Sequence, residues 1–124
     1  MRLRHVDGRY AVCRLDPHDA IPPWADGDGF VSISRTSEEL SIICDVARVP
    51  DGVQAERGWR CIAAVGPIAF SVTGVAAALT GALAAAGISV FLVATYDTDY
   101  LLVKEEAFAR AVEALREAGH AAGD

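Results

Sequence analysis

Apolar and polar positions recur with two different periods along the chain, and each change of period marks a predicted element. Residues 72–86 carry apolar side chains at helical spacing, and Gly87 follows them as a stop signal. Residues 105–118 show an amphipathic helical pattern that ends at Gly119. β-branched and apolar runs predict strands at 3–6, 9–15, 30–35, 40–46, 60–65, 88–95 and 100–103. We therefore expect an α+β protein.

Turn signals shorten the elements that are predicted for the first half of the chain. Asp7-Gly8 lies between two strand-like runs and predicts the two-residue turn of a β-hairpin. Asp16-Pro17 is typical of a helix start, but Pro22-Pro23 ends such a helix within about two turns. We therefore expect only a helical stub between the first two strand pairs.

The chain resembles itself when it is shifted by 60 positions. Residues 32–43 then align with residues 92–103, so that a strand, a polar turn, an acidic residue and a second strand coincide, with Glu39 on Asp99. This agreement of pattern predicts an internal duplication.

The duplication predicts two units of about 60 residues that together form one compact body. Residues 1–58 are the N-terminal unit, which is degenerate and has short helices, and residues 59–124 are the C-terminal unit. The second unit has the order β-α-β-β-α, one strand short of the ferredoxin-like βαββαβ arrangement. The N-terminal hairpin is the expected donor of the missing strand.

Composition and charge exclude several classes of partner. The 124 residues carry a formal net charge of -6, and the sequence pI is about 4.9. Such a surface repels nucleic-acid phosphates and anionic lipid headgroups, so we expect no nucleic-acid partner and no membrane partner. The first residues contain no apolar stretch long enough for a signal peptide, which predicts a cytoplasmic location. The excess of Arg over Lys and the lack of Asn suggest a GC-rich bacterial genome.

The longest stretch without a charged residue, 61–96, permits two interpretations. It is long enough to span a membrane. However, Gly66-Pro67, Gly74 and Gly81 interrupt it, and its last part is β-branched and aromatic in the manner of a strand. A buried helix followed by a buried strand explains the pattern better.

The side chains that often carry catalysis or bind metals are scattered. Cys13, Cys44 and Cys61 each lie inside an apolar run, without paired spacing or a nearby His, and are expected to be buried thiols. Residues 26–29 match a calcium-loop pattern only in part, because the first and twelfth ligands are missing. No nucleophile elbow, phosphate loop or zinc-protease motif occurs. The sequence predicts no metal, no cofactor and no enzymatic activity.

Several motifs in order along the chain resemble the ACT domain, a small amino-acid-sensing module. They are Gly66-Pro67-Ile68, the helical pattern 75–83, Gly87-Ile88-Ser89-Val90 and the run 95–103. Together with residues 30–36 and Arg57-Gly58-Trp59-Arg60, they are similar to the tandem ACT proteins related to the aspartokinase regulatory domain and the cytosolic arginine sensors. The resemblance implies two ferredoxin-like units with antiparallel sheets packed against helices, assembly as a homodimer, and ligand binding without catalysis.

The resemblance also implies where a ligand binds, between the loop that opens the first helix and a strand of a neighbouring unit. Here that loop comprises Ser71, Val72, Thr73, Gly74 and Val75. Free backbone N–H groups and the positive end of the helix dipole favour an anion at a helix N-terminus. This loop is therefore the candidate site for an α-carboxylate.

The turn between the last two strands supplies candidates for the positively charged group of the same ligand. Asp97 and Asp99 are suited to an α-ammonium group or a cationic side chain, and Thr98 adds a hydroxyl. The same residues also fit ordinary hairpin-turn chemistry, and Ser71 and Thr73 fit helix caps. The favoured hypothesis is an amino-acid-binding regulatory protein. The alternative is an oligomerisation or partner-docking module whose pocket has decayed.

Overall fold

Contacts within the chain define two units, in a computed structural model that describes residues 1–69 and 73–122. The N-terminal unit is Asp7–Trp59, and the C-terminal unit combines Met1–Val6 with the chain from Arg60 onward. The elements are β1 (Arg2–Leu15), β2 (Ser32–Arg35), β3 (Leu40–Asp45), β4 (Ala55–Ala64), α1 (Val75–Ala85), β5 (Phe91–Ala94), β6 (Asp99–Lys104), α2 (Phe108–Glu117) and β7 (Ala121–Ala122). The described ranges also contain three short 3-10 turns, at Pro23–Ala25, Val46–Arg48 and Glu105–Ala107.

The C-terminal unit has the predicted order β-α-β-β-α, with one strand added from the start of the chain. Its strands lie in the order β1-β4-β6-β5. The amide of Val65 donates to the carbonyl of Arg2 over 2.8 Å, and β7 pairs in parallel with β1 at Arg2 and Leu3. The missing strand therefore comes from the N-terminus, as predicted, but from the first part of a single long strand instead of a hairpin.

Both helices of the C-terminal unit pack on one face of its sheet. α1 buries Leu79 and Leu83, and α2 buries Ala111, Val112 and Leu115. Successive strand residues point to opposite faces, so alternate positions meet the helices. The strand side of this core is formed by Leu3, Ile62, Ala64, Leu101 and Val103.

The start of α2 is held against the sheet by a mixed polar and aromatic cluster. The Arg60 guanidinium lies 3.9 Å from the centroid of the Phe108 ring, and its Nη1 lies 3.6 Å from Oε2 of Glu105. The His5 ring meets the same Phe108 ring edge-on, with centroids 5.1 Å apart. A cation–π contact and an aromatic contact thus fix the N-terminal end of α2, where Ala109 and Arg110 are exposed.

The N-terminal unit covers its strands with loops. Its strands lie in the order β2-β3-β1, and its core includes Leu40, Ile42 and Cys44, with Trp24 and Val53 packed on it from the connections. The long β1–β2 connection takes the place that a helix has in the C-terminal unit.

Arg48 and Tyr10 are among the side chains that hold this connection. Nε of Arg48 donates to the carbonyl of Trp24 over 3.1 Å, and its Nη1 donates to the carbonyl of Asp28 over 2.9 Å. The Tyr10 hydroxyl donates to the carbonyl of Asp7 and accepts the amide of Phe30. These contacts give an irregular segment fixed partners for its backbone.

Two predictions for the first half of the chain are wrong. Asp7-Gly8 does not reverse the chain, because β1 continues through both residues, and Gly8 has a φ of 103° inside the strand. A glycine with positive φ fits a strand irregularity as well as a turn, and the pairing of β1 with β3 and β4 decides between them. The expected stub at Asp16 is a single turn, in which the Asp16 carboxylate accepts the His18 amide. The 3-10 turn lies later, at Pro23–Ala25.

The two hairpins β2–β3 and β5–β6 have the same register, with an offset of 59 residues instead of the predicted 60. Ser32 pairs with Ile43, and Phe91 pairs with Leu102. The structural partner of Glu39 is therefore Thr98 and not Asp99. A shift by one residue moves every side chain to the other face of a strand, so this correction changes which positions are comparable.

The uncharged stretch 61–96 forms the end of β4, α1 and β5 in its described parts. No helix in the described ranges has the length and apolar character needed to cross a membrane. The predicted strand 88–95 is shorter, at Phe91–Ala94, and the predicted helix 72–86 is observed from Val75 to Ala85. The short strand β7 was not predicted.

Candidate functional site

A cavity of about 360 Å³ lies in the C-terminal unit beside the N-terminus of α1. Its described walls are residues 68–69, which follow β4, residues 74–76 at the start of α1, and residues 94–99 around the β5–β6 turn. Three segments thus meet here: the chain that follows β4, the N-terminus of α1, and the turn that joins the end of β5 to the start of β6.

The structure brings most of the predicted site residues to this cavity. Gly74 and Val75 line it from the helix, and Asp97, Thr98 and Asp99 line it from the turn. Thr73 is exposed and is not among the lining residues, and Ser71 and Val72 lie outside the described residues. Whether these residues bind a ligand stays a prediction.

The N-terminus of α1 presents backbone groups without a side-chain cap in the described chain. Gly74 is the N-cap residue, with a φ of 80°, and its carbonyl accepts the amide of Ala78 over 2.9 Å. Gly74 itself has no side chain that could accept a hydrogen bond from the amides of the first turn. The amides of the first helical turn have no partner within the helix, so a helix end of this kind attracts negative charge.

The β5–β6 turn is closed by threonine. The amide of Thr95 donates to the carbonyl of Thr98 over 2.9 Å, and Oγ1 of Thr95 donates to the same carbonyl over 2.8 Å. The Thr98 hydroxyl donates to the carbonyl of Ala64 at the end of β4, over 2.8 Å. This hydroxyl was expected to serve a ligand, but its proton is already used within the protein.

Sequence reasoning missed the segment that follows β4 as part of the site. The amide of Ile68 donates to the carbonyl of Asp97 over 2.7 Å, so this segment and the turn form one wall. A Cβ added to Gly66 would lie 2.9 Å from Cβ of Thr98 and 3.0 Å from the carbonyl oxygen of Asp97. The peptide bond between Gly66 and Pro67 is cis. Gly66-Pro67 was interpreted as an interruption of the uncharged stretch and as part of the resemblance to the ACT domain. Its close approach to a turn so far along the chain has no local signal.

The charge of the described cavity wall is negative. Asp97 and Asp99 are the only Asp or Glu residues among the described lining residues, which include no Arg, Lys or His. The cavity therefore combines two carboxylates, which favour a cation, with a helix N-terminus, which favours an anion.

The cysteines are inert thiols. All three are buried and free. Burial raises the pKa of Cys61 to about 12 and that of Cys13 to about 11, with Cys44 adding to the rise at Cys13. Since the thiolate is the reactive form, these side chains do not provide a nucleophile. Within the described ranges, no group of three or more His, Cys, Asp or Glu side chains is arranged to hold a metal ion.

A family model of the ACT domain matches residues 54–117, which is more than half of the chain. A second family model, which describes an N-terminal domain, matches residues 8–52. No curated protein matches the chain.

Solved structures have the same fold. Protein Atu0741 from Agrobacterium tumefaciens is 42% identical, with a TM-score of 0.93 over 98% of this chain and 91% of its own. VC0802 from Vibrio cholerae, described as a protein of unknown function and possible transport protein, is 22% identical, with a TM-score of 0.76 over 94% and 88%. E. coli aspartokinase III in complex with aspartate and ADP is 14% identical, with a TM-score of 0.65 over 94% of this chain and 32% of its own. The predicted α+β, ferredoxin-like fold is confirmed.

Proposed function

We propose, from the premise that this chain belongs to the ACT-domain family, that it is a non-catalytic regulatory protein that binds an amino acid in the cavity of its C-terminal unit. The single observation that carries this proposal is the lining of the cavity. An uncapped helix N-terminus and two carboxylates meet there, and an amino acid carries one charge complementary to each.

The physical basis is electrostatic. The amides that follow Gly74 receive the α-carboxylate, because the helix dipole and unpaired N–H groups favour an anion. Asp97 and Asp99 receive the α-ammonium group through charge-assisted hydrogen bonds. A volume of about 360 Å³ falls within the usual range of small-molecule sites, about 300–1,000 Å³.

The family supports the same class of ligand. The ACT domain is a regulatory domain, and the complex of E. coli aspartokinase III contains aspartate. We propose further that the protein is cytoplasmic, which its match to a regulatory ACT domain supports.

The test is a thermal-shift screen of the purified protein against the twenty amino acids. A ligand that binds only the native state adds about 2.7 kcal/mol at a hundredfold excess over its dissociation constant, which is several degrees for a chain of this size. Asp99→Asn and Thr73→Asp are expected to reduce the shift. The new carboxylate of Thr73→Asp repels the α-carboxylate of the ligand, although it suits the helix dipole itself.

The matched control is Glu38→Gln, which removes a carboxylate from the β2–β3 turn at the position equivalent to Asp97. It is expected to leave the shift unchanged. If no amino acid raises the melting temperature, or if the control reduces the shift as strongly as Asp99→Asn, the proposed site is wrong.

One observation favours a second candidate, an oligomerisation or docking module. α1 exposes Ala77, Ala78, Gly81, Ala84 and Ala85, a surface without charge in an acidic chain. A homodimer is part of our proposal for this reason, because like-charged copies associate most easily through an uncharged surface. A stable dimer in light scattering, without any ligand shift, would favour this second function over the first.

A further inference from the structure

We infer that Thr98 is a positioning residue, whose hydroxyl ties the β5–β6 turn to the end of β4 and thereby sets where Asp97 and Asp99 stand in the cavity. The inference rests on the proposed function, since it concerns the placement of the two carboxylates that would bind the ligand. Its own evidence is a set of contacts within the C-terminal unit.

Two hydrogen bonds, at the neighbouring residues Asp97 and Thr98, connect the turn to the end of β4 and to the segment that follows it. The carbonyl of Asp97 accepts the amide of Ile68 over 2.7 Å, and the hydroxyl of Thr98 donates to the carbonyl of Ala64 over 2.8 Å. Ala64 is 1% exposed and belongs to the core, so the acceptor is fixed. Because Asp97 and Asp99 flank Thr98 in the chain, both carboxylates move with this anchor.

Close packing adds to the hydrogen bonds. Gly66 approaches the turn so closely that a Cβ there would be 2.9 Å from Cβ of Thr98. The neighbouring atoms are Cβ of Thr98 and the backbone oxygen of Asp97. Neither can move aside as easily as the end of a long side chain. The turn is thus seated on the residues that follow β4 as well as bonded to them.

The equivalent turn of the N-terminal unit shows that a hairpin of this kind forms without the anchoring contact of Thr98. Thr36 closes the β2–β3 turn as Thr95 closes the β5–β6 turn, with its amide donating to the carbonyl of Glu39 over 2.9 Å. Glu39 stands at the position of Thr98, so a hairpin of the same register forms without a threonine there. The bond from Thr98 to Ala64 is therefore not needed to close the turn.

The two tied segments border two cavities. Residues 68–69 and 96–97 line the candidate site and also a second cavity of about 360 Å³ that includes Pro67. A displaced turn changes the shape of both. Thr98 thus controls the width of the space next to Asp97, in addition to the placement of its carboxylate.

The experiment compares Thr98→Val, Thr98→Ser and Thr36→Val in the full chain. Valine keeps the branched shape but removes the donor, serine keeps the donor, and Thr36→Val weakens the matched turn away from the cavity. Each protein is titrated with each of the twenty amino acids at millimolar concentration, and hydrogen exchange of the Ile68 amide is followed without ligand.

We expect Thr98→Val to weaken amino-acid binding about tenfold, which corresponds to one typical hydrogen bond, and to speed exchange at Ile68. Thr98→Ser is expected to restore binding to within about threefold. Thr36→Val is expected to lower the melting temperature without changing the affinity. A merely structural role for Thr98 would lower stability alone, as in Thr36→Val.

The outcomes distinguish the inference from the proposed function. If no amino acid binds the unaltered protein, the proposed function fails, and unchanged exchange at Ile68 in Thr98→Val would overturn the anchor as well. If amino acids bind but Thr98→Val retains full affinity, or Thr98→Ser fails to restore it, the inference is wrong. Should Thr98→Val not fold, Gly66→Ala displaces the turn with the hydroxyl retained, and full affinity in that variant overturns the inference.

Discussion

The β2–β3 and β5–β6 hairpins have identical registers, yet only the second borders the candidate ligand cavity. Each is closed by a threonine at the first position of the turn, Thr36 or Thr95. The difference lies in what surrounds them. In the C-terminal unit a helix begins beside the turn, whereas in the N-terminal unit a loop with a single 3-10 turn follows β1.

This difference shows that the hairpin alone does not make a site. A helix offers aligned backbone N–H groups at its first turn, and a loop held by Arg48 and Tyr10 uses its backbone groups internally. The binding capacity that we propose therefore depends on the segment that covers the sheet, which is helical in the C-terminal unit and a loop in the N-terminal unit. We call these segments the helical cover and the loop cover, and the comparison can be tested by weakening each of them.

The helical cover is expected to be the more sensitive. Leu79→Ala removes a fully buried side chain of α1 and leaves a cavity against the sheet, so the free energy of unfolding should fall by about 2–5 kcal/mol. Urea denaturation measures this loss. Ile21→Ala, in the loop cover, is the control, because Ile21 is 52% exposed and its truncation should cost less than about 0.5 kcal/mol. Equal losses would remove the distinction between the two covers.

The loop cover is expected to depend on Arg48. Arg48→Met removes the two hydrogen bonds to the carbonyls of Trp24 and Asp28, and we expect a loss of about 1–3 kcal/mol in the free energy of unfolding. Arg48→Lys should not restore stability, since one ammonium group lacks the fork that spans both carbonyls. Urea denaturation with limited proteolysis of residues 24–30 tests this, and a lysine variant of full stability would contradict it.

Replacing one glycine by alanine in each unit is expected to change the free energy of unfolding by smaller amounts and in opposite directions. Gly8→Ala places a side chain at a φ of 103° in β1 and should cost about 1–2 kcal/mol of unfolding free energy. Thermal unfolding followed by circular dichroism measures it. An unchanged melting temperature would mean that the strand adopts an ordinary conformation at this position.

Gly81→Ala, in the middle of α1, should stabilise the protein by about 0.5–1 kcal/mol. The backbone there is helical, a Cβ would meet nothing within 4 Å, and alanine restricts the unfolded chain more than glycine does. The same thermal measurement applies, and a lower melting temperature would show that the helix needs the bare backbone.

The smallest expected effect is a pH dependence in the C-terminal unit. Burial, and then the N-terminal ammonium group, lower the pKa of His120 below its ordinary value of 6.5. The unfolded state therefore binds more protons than the folded state as the pH falls through 6.5, so the free energy of unfolding decreases there. His120→Gln should remove this part of the decrease, with His18→Gln in the N-terminal unit as the matched variant. Identical pH profiles of His120→Gln and the unaltered protein would refute the assignment.

The sequence was sufficient for the elements that carry a local signal. The helical spacing before Gly87 and the strand–turn–strand pattern of 91–104 both correspond to observed elements. The resemblance to the ACT domain also predicted the loop that contains Gly74, and the residue types of the turn predicted Asp97–Asp99; both line one cavity. Each of these features depends on residues within a few positions of one another.

The errors arise where distant parts of the chain decide between local alternatives. Asp7-Gly8 is compatible with a turn and with a continuous strand, and pairing with β3 and β4 selects the strand. The offset of the repeat was misjudged by one residue, because the similarity of the two hairpins lies in register and not in identity. The contact of Gly66 with Thr98 joins segments far apart in sequence, which no periodicity reveals.

The uncharged stretch that follows Arg60 has a practical consequence for protein chemistry. Trypsin cleaves after Arg and Lys, and none occurs between Arg60 and Lys104. Every described wall of the candidate cavity therefore belongs to one tryptic fragment, 61–104. A photoreactive amino acid that enters the cavity would label this fragment alone, and pepsin would then be required to divide α1 from the β5–β6 turn.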